Sequence, residues 1–142
     1  MCKKGAGAEF SQDAIKGKKV GVQRATIHDR YLTDNYGDAV EIKRYGSQDE
    51  AYLDLTAGRV DMLLADSVAL SDGFLKKEEG KEYEFVGPDL SDPKGFGAGA
   101  GIAIMKGDTD LAEKFNQAID TIRANGVYKQ IQDKYFDFNV YG

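Results

Sequence analysis

A chain of 142 residues, 42% apolar and 30% charged, has the makeup of a globular domain with enough sequence to bury a core. Its net charge of −5 argues against a nucleic-acid partner, because gripping phosphates takes a basic surface. No apolar run approaches the length of a membrane span. The start, Met1-Cys2-Lys3-Lys4, has no apolar stretch behind it, so it reads as an appended start rather than a signal peptide.

The chain alternates strand-like and helix-like segments, which predicts an α/β fold with a mainly parallel sheet. Strands are expected at 18–23, 40–44, 60–65, 83–87 and 100–105. The third is nearly continuously apolar, as in a strand covered on both faces. Thr26-Ile27-His28-Asp29 opens a helix after the first strand. Ser47-Gln48-Asp49-Glu50 has capping-box spacing, with Gly58 at the expected stop. A helix over about 67–77 carries Val68, Leu70, Phe74 and Leu75 but is interrupted by Gly73. Between Gly87 and Gly101 lie both prolines and five glycines, marking a connector. Those glycines alternate and run into a strand-like segment, so a dinucleotide-binding fingerprint fails on spacing and context. The longest helix follows Asp108, with Leu111, Phe115, Ala118, Ile119 and Ile122 on one face, and Asn125-Gly126 ends it. A shorter helix over 127–135 groups Tyr128, Ile131 and Tyr135.

Candidate chemistry is sparse. Cys2 is the only cysteine and reads as an incidental thiol; His28 is the only histidine. They give no internal disulfide and no metal cluster. Asp66 with His28 is the one acid–base pair that an enzyme reading could use. No catalytic residue and no cofactor are expected.

The two strand ends carry the functional signal. Right-handed crossovers in the order 2-1-3 set strands 18–23 and 60–65 side by side, with loops 24–27 and 66–67 flanking one crevice. N–H groups of a helix starting near Thr26 attract an anion, and the Thr26 hydroxyl adds a donor. Asp66, ionised, accepts from an ammonium. Together they suit the two charged groups of an amino acid. From pattern alone, however, Thr26 and Asp66 are more simply read as helix caps.

Over most of its length the sequence resembles the periplasmic solute-binding proteins of polar amino-acid ABC importers, nearest the lysine/arginine/ornithine- and histidine-binding group. The resemblance is carried by Lys16-Gly17-Lys18-Lys19-Val20-Gly21-Val22-Gln23, Leu55-Thr56-Ala57-Gly58-Arg59-Val60-Asp61, Gly73-Phe74-Leu75-Lys76, Phe85-Val86-Gly87-Pro88 and Lys134-Tyr135-Phe136-Asp137-Phe138-Asn139-Val140-Tyr141-Gly142. It implies a type II periplasmic-binding-protein lobe, flavodoxin-like, plus C-terminal helices of an incomplete other lobe. Residues 1–90 correspond to lobe two, 91–99 to the returning hinge, and 100–142 to the end of lobe one.

The resemblance further implies that Asp66 holds the ligand ammonium and that Thr26 and Ile27 (through its backbone) hold the carboxylate. Gln23 and His28 line the pocket. The implied ligand is a free L-amino acid, polar and most simply basic. The implied partner is an ABC importer permease, and the implied location is the periplasm.

The sequence departs from the family in three places. Ala25 stands where glycine is usual. The usual Tyr-Phe-Gly-Asp-Gly is Gly95-Phe96-Gly97-Ala98-Gly99, an exchange expected to loosen the connector. The first-lobe segment that normally opens the protein has no counterpart, so an N-terminally truncated chain with half a ligand site, binding weakly or not at all, is expected. The 108–125 helix face then needs another partner, such as a second copy of the chain. A dehydratase-type enzyme on the same fold, or a dimeric sensor or structural module, is the alternative.

Overall fold

The computed structural model describes residues 1–6, 9–88, 90, 92–93, 95–97 and 100–140. Ala98 and Gly99 of the connector motif, and Tyr141 and Gly142 of the C-terminal motif, lie outside the described residues. The chain divides into two units, Met1–Gly99 and Ala100–Gly142.

The first unit is built on a five-stranded sheet of β1 (Cys2–Lys3), β2 (Lys19–Gln23), β3 (Glu41–Tyr45), β4 (Met62–Leu63) and β5 (Tyr83–Glu84). Their order is β3-β2-β4-β1-β5. β2 runs parallel to both β3 and β4, with Val20 opposite Ile42 and Met62. The predicted 2-1-3 winding is therefore present. β1 is antiparallel to β4 and β5.

Side-chain alternation divides the core between the sheet's two faces. Val20, Val22 and Met62 point to one side, where Ile15, Leu32 and Val40 close over them. Leu63 points to the other, against Ala51, Tyr52, Leu55, Leu70 and Phe74. Leu32 belongs to α1 (Ile27–Tyr36), and the second group comes largely from α2 (Gln48–Thr56) and α3 (Ser67–Leu70).

The predicted capping box forms in full: the Glu50 N–H donates to Ser47 Oγ, and the Ser47 N–H donates to a Glu50 carboxylate oxygen. The helix predicted at 67–77 is split. α3 ends at Leu70, and a π-helical turn runs from Ser71 to Leu75. Tyr52 explains the widening. Its hydroxyl donates to the Ala69 carbonyl at 2.9 Å, taking the acceptor that an α-helix would offer to the Gly73 N–H.

The N-terminal residues correct the sequence reading. Met1-Cys2 is core, with Met1 6% and Cys2 2% exposed. The Leu63 N–H donates to the Met1 carbonyl, and the Met1 amine donates to the Leu63 carbonyl. The segment thus pairs the outer edge of β4, which otherwise would leave ladder groups open. The Cys2 thiol is buried with this segment, and burial pushes its pKa up.

In the second unit α4 (Thr109–Ala124) and α5 (Val127–Gln132) form, with Asp108 capping α4 by accepting from the Leu111 N–H. The strand expected at 100–105 does not form: these residues enter no ladder among the described residues. Its apolar residues have no neighbouring strand to pair with, and Ile102 is 58% exposed. No residue of α4 or α5 is buried; on the apolar face of α4, Leu111 and Phe115 are exposed and Ile119 and Ile122 half-buried.

Candidate functional site

Gln23 ends β2 and is half-buried; after it the chain turns through Arg24 and Ala25 to the start of α1. Met62–Leu63 of β4 lies beside Val20–Gly21 in parallel register, and the Leu64 N–H donates to the Gly21 carbonyl at 3.0 Å. Both strands therefore end on the same side, one in the α1 turn and the other in Asp66. The two strand ends that the winding order sets side by side are neighbours.

Thr26 is the N-cap of α1. Its hydroxyl accepts from the Asp29 N–H at 3.2 Å and donates its only hydrogen to the Gln23 carbonyl at 2.8 Å. The hydroxyl is thus already engaged in both directions. What remains open is backbone: the N–H groups of Ile27 and His28 meet no acceptor among the described residues. These are orphan donors of a helix start, backed by the dipole of a ten-residue helix. The Ile27 side chain is 44% exposed.

Asp66 caps α3, one carboxylate oxygen accepting from the Ala69 N–H at 2.9 Å. A carboxylate has two oxygens, and Oδ2 meets no partner among the described residues. Capping and ligand binding are therefore not alternatives here. His28 lies within the field of the same carboxylate. Burial pushes its pKa down, and Asp66 pulls it back up.

Ala25 has φ +61, in the left-handed region that favours glycine. Ala25 thus holds a glycine-type backbone angle while carrying a Cβ. The Ala25 N–H donates to Asp29 Oδ2 at 3.1 Å. Arg44 Nε donates to the other oxygen of Asp29 at 2.8 Å, tying the turn to β3.

Reasoning from the sequence missed Phe96 and Tyr31. The Phe96 ring lies 4.7 Å from Tyr31 and 5.6 Å from His28, so the connector is seated on α1 beside the crevice. The available signal was a lone aromatic between Gly95 and Gly97.

Two cavities lie away from these turns. One, of about 670 Å³, is formed by Arg123, Tyr128, Gln132 and Phe136 in the second unit; the other, of about 260 Å³, opens by Cys2, Lys18 and Asp61, which flanks the starts of β2 and β4. Neither gathers acidic and N–H groups as the strand ends do. Among the described residues no group of three or more His, Cys, Asp or Glu is placed to hold a metal ion. No helix among them is long and apolar enough to cross a membrane.

Residues 16–138 match the sequence model of the bacterial extracellular solute-binding proteins, family 3. The chain belongs to this family. It is 58% identical, over its whole length, to the L-arginine-binding protein of Pseudomonas aeruginosa and spans 55% of that protein. It is 44% identical to the histidine-binding periplasmic protein of Escherichia coli over 92% of its own length and 50% of the relative's. Among solved structures, a Salmonella typhimurium periplasmic binding protein described as highly arginine-specific superposes with a TM-score of 0.67 at 34% identity, over 95% of this chain and 58% of that one. The chain thus spans about half the length of the relatives it matches. These relatives are binding proteins by name, which favours binding over the dehydratase alternative.

Proposed function

We propose that the chain carries the amino-acid-holding crevice of an extracytoplasmic solute-binding protein serving an ABC importer. The cargo is a free polar L-amino acid, most simply a basic one, captured in the periplasm and passed to the membrane permease. Asp66 receives the α-ammonium through its open carboxylate oxygen. The N–H groups of Ile27 and His28, held in place by the Thr26 cap, receive the α-carboxylate. Gln23 and His28 border the side chain. In this reading 1–90 is lobe two, 91–99 the returning connector and 100–142 the closing part of lobe one. The apolar face of α4, within 108–125, is the surface through which two copies would pair; sedimentation velocity of the pure chain tests that separately, and a monomer at high concentration rejects it.

The observation that carries the proposal is the pairing of an open carboxylate oxygen with open helix N–H groups at the ends of two adjacent parallel strands. Two or three charge-assisted hydrogen bonds, at about 1.5–3 kcal/mol each, do little more than offset an association cost of about 4 kcal/mol or more, so a dissociation constant of about 1 mM or weaker is expected. The test is an amide NMR titration with L-arginine, L-lysine, L-ornithine and L-histidine. Agmatine, which lacks the α-carboxylate, serves as control. Saturable shifts at Ile27, His28 and Asp66 for the amino acids only, lost in Asp66→Asn, are expected. Asparagine preserves the cap while removing the charge, so this loss reports the ligand contact rather than unfolding. Shifts elsewhere, or none, reject the site. A micromolar constant rejects the half-site description.

A further inference from the structure

The rings along α1 form a continuous run that ends at the crevice. Phe10 is 5.1 Å from Tyr36, Tyr36 is 6.1 Å from Tyr31, Tyr31 is 4.7 Å from Phe96, and Phe96 is 5.6 Å from His28. All are tilted aromatic contacts at favourable separations. Phe96 alone among the last three comes from outside α1, on the turn at 95–97. That turn is fixed by the Phe96 N–H, which donates to the Asp92 carbonyl at 2.7 Å. Gly95 is what brings it so close. A Cβ at that position would stand 2.7 Å from an Asp92 carboxylate oxygen and 3.7 Å from the Tyr31 ring. A larger side chain there would first have to displace the Asp92 carboxylate.

We propose that Phe96 is a positioning residue for the ligand crevice, covering the His28 ring so that it does not serve as the internal counterion of Asp66. The proposal rests on the amino-acid-binding reading above. The physical reason is competition. An imidazolium beside Asp66 would satisfy the carboxylate with a charge from the protein itself, and the ligand ammonium would have to displace it. A neutral imidazole leaves the carboxylate to the ligand. Water around the ring would favour the imidazolium, and an aromatic lid against it removes that water. The ionisable groups near this cluster include Asp66, which favours the charged form of His28, Tyr31 on the same helix and Asp92 in the connector.

His28 is the only histidine, so its ring protons give an unobscured NMR titration. In the unaltered chain the midpoint is expected below the ordinary value of about 6.5. Phe96→Ala is expected to move it up and to weaken L-arginine binding about two- to tenfold at pH near 6, the worth of one aromatic contact. The defect should vanish near pH 8.5, where His28 is neutral in either chain. Phe96→Tyr should behave as the parent, and Phe96→Leu replaces the alanine variant if that one does not fold.

An unchanged midpoint in Phe96→Ala overturns the proposal, as does a binding defect of equal size at both pH values. If the parent chain itself shows no response to L-arginine, the binding reading falls first, and the positioning role falls with it. A parent that binds while Phe96→Ala matches it throughout rejects the positioning role alone.

Discussion

Ala25→Gly should stabilise the first unit, and the structure sets the size of the gain. Ala25 holds φ +61, a conformation that costs an L-residue about 1–2 kcal/mol because Cβ crowds the backbone. Glycine removes that crowding but gives the unfolded chain more freedom, which offsets about 0.4–1 kcal/mol. Taking the middle of each range leaves about 0.8 kcal/mol in favour of the variant. For a unit of this size that corresponds to a rise in Tm of roughly 3–6 °C. The turn's anchors are backbone and Asp29, so none is lost: the residue 25 N–H still donates to Asp29 Oδ2, and Arg44 still grips Asp29. Thermal unfolding followed by far-UV circular dichroism measures the effect. Ala25→Val provides the opposite limb, because a β-branched residue is far less tolerant of this angle. An unchanged or lower Tm for Ala25→Gly would refute the assignment of strain to this turn.

Tyr45 gives a pH test: burial first, and its hydrogen bond to Asp54 second, push its hydroxyl up to about 12. A folded pKa above the unfolded value means stability that is full below about pH 10 and is lost as pH rises toward 12, so Tyr45→Phe should flatten that alkaline limb in urea melts. Gly80→Ala should cost about 3 kcal/mol, because its Cβ would fall on the Phe74 carbonyl and the Leu75 backbone, neither of which can rotate away. Chemical denaturation gives the value, and a change under 0.5 kcal/mol would contradict that packing. Ser47→Ala should lose about 1 kcal/mol with the capping box and speed amide exchange at Glu50.

The strands and helices with strong periodicity or caps were legible from sequence. A 2-1-3 order of right-handed crossovers was expected to set the strands before Thr26 and Asp66 side by side, and the sheet has that order. Asp66 illustrates the limit of such reading. Pattern made capping and binding rivals, but a carboxylate has two oxygens, and only geometry shows that one is left open. β1 was not legible, since two residues carry no period, and the strands that recruit them lie far along the chain, at Met62 and at Tyr83–Glu84. The strand expected at 100–105 failed for the converse reason: strand propensity does not form a ladder without a neighbour. The split of the 67–77 helix came from Tyr52 on another helix, a tertiary effect with no local trace beyond Gly73. Phe96 was passed over because a lone aromatic among glycines looks like a linker until its neighbours are known.

The order of the sheet also bears on how copies of this chain can meet. Its outer members are β3 and β5. β3 carries Glu41, Lys43 and Arg44, all three in ion pairs: Lys43 with Glu41, and Arg44 with Asp29. A foreign strand docking there would have to strip water from those charges and gain no apolar ladder in return. β5, two residues long, is too short to template an addition. The sheet is therefore a closed margin to fibrils and strand exchange, and encounters between molecules are directed to helical surfaces instead.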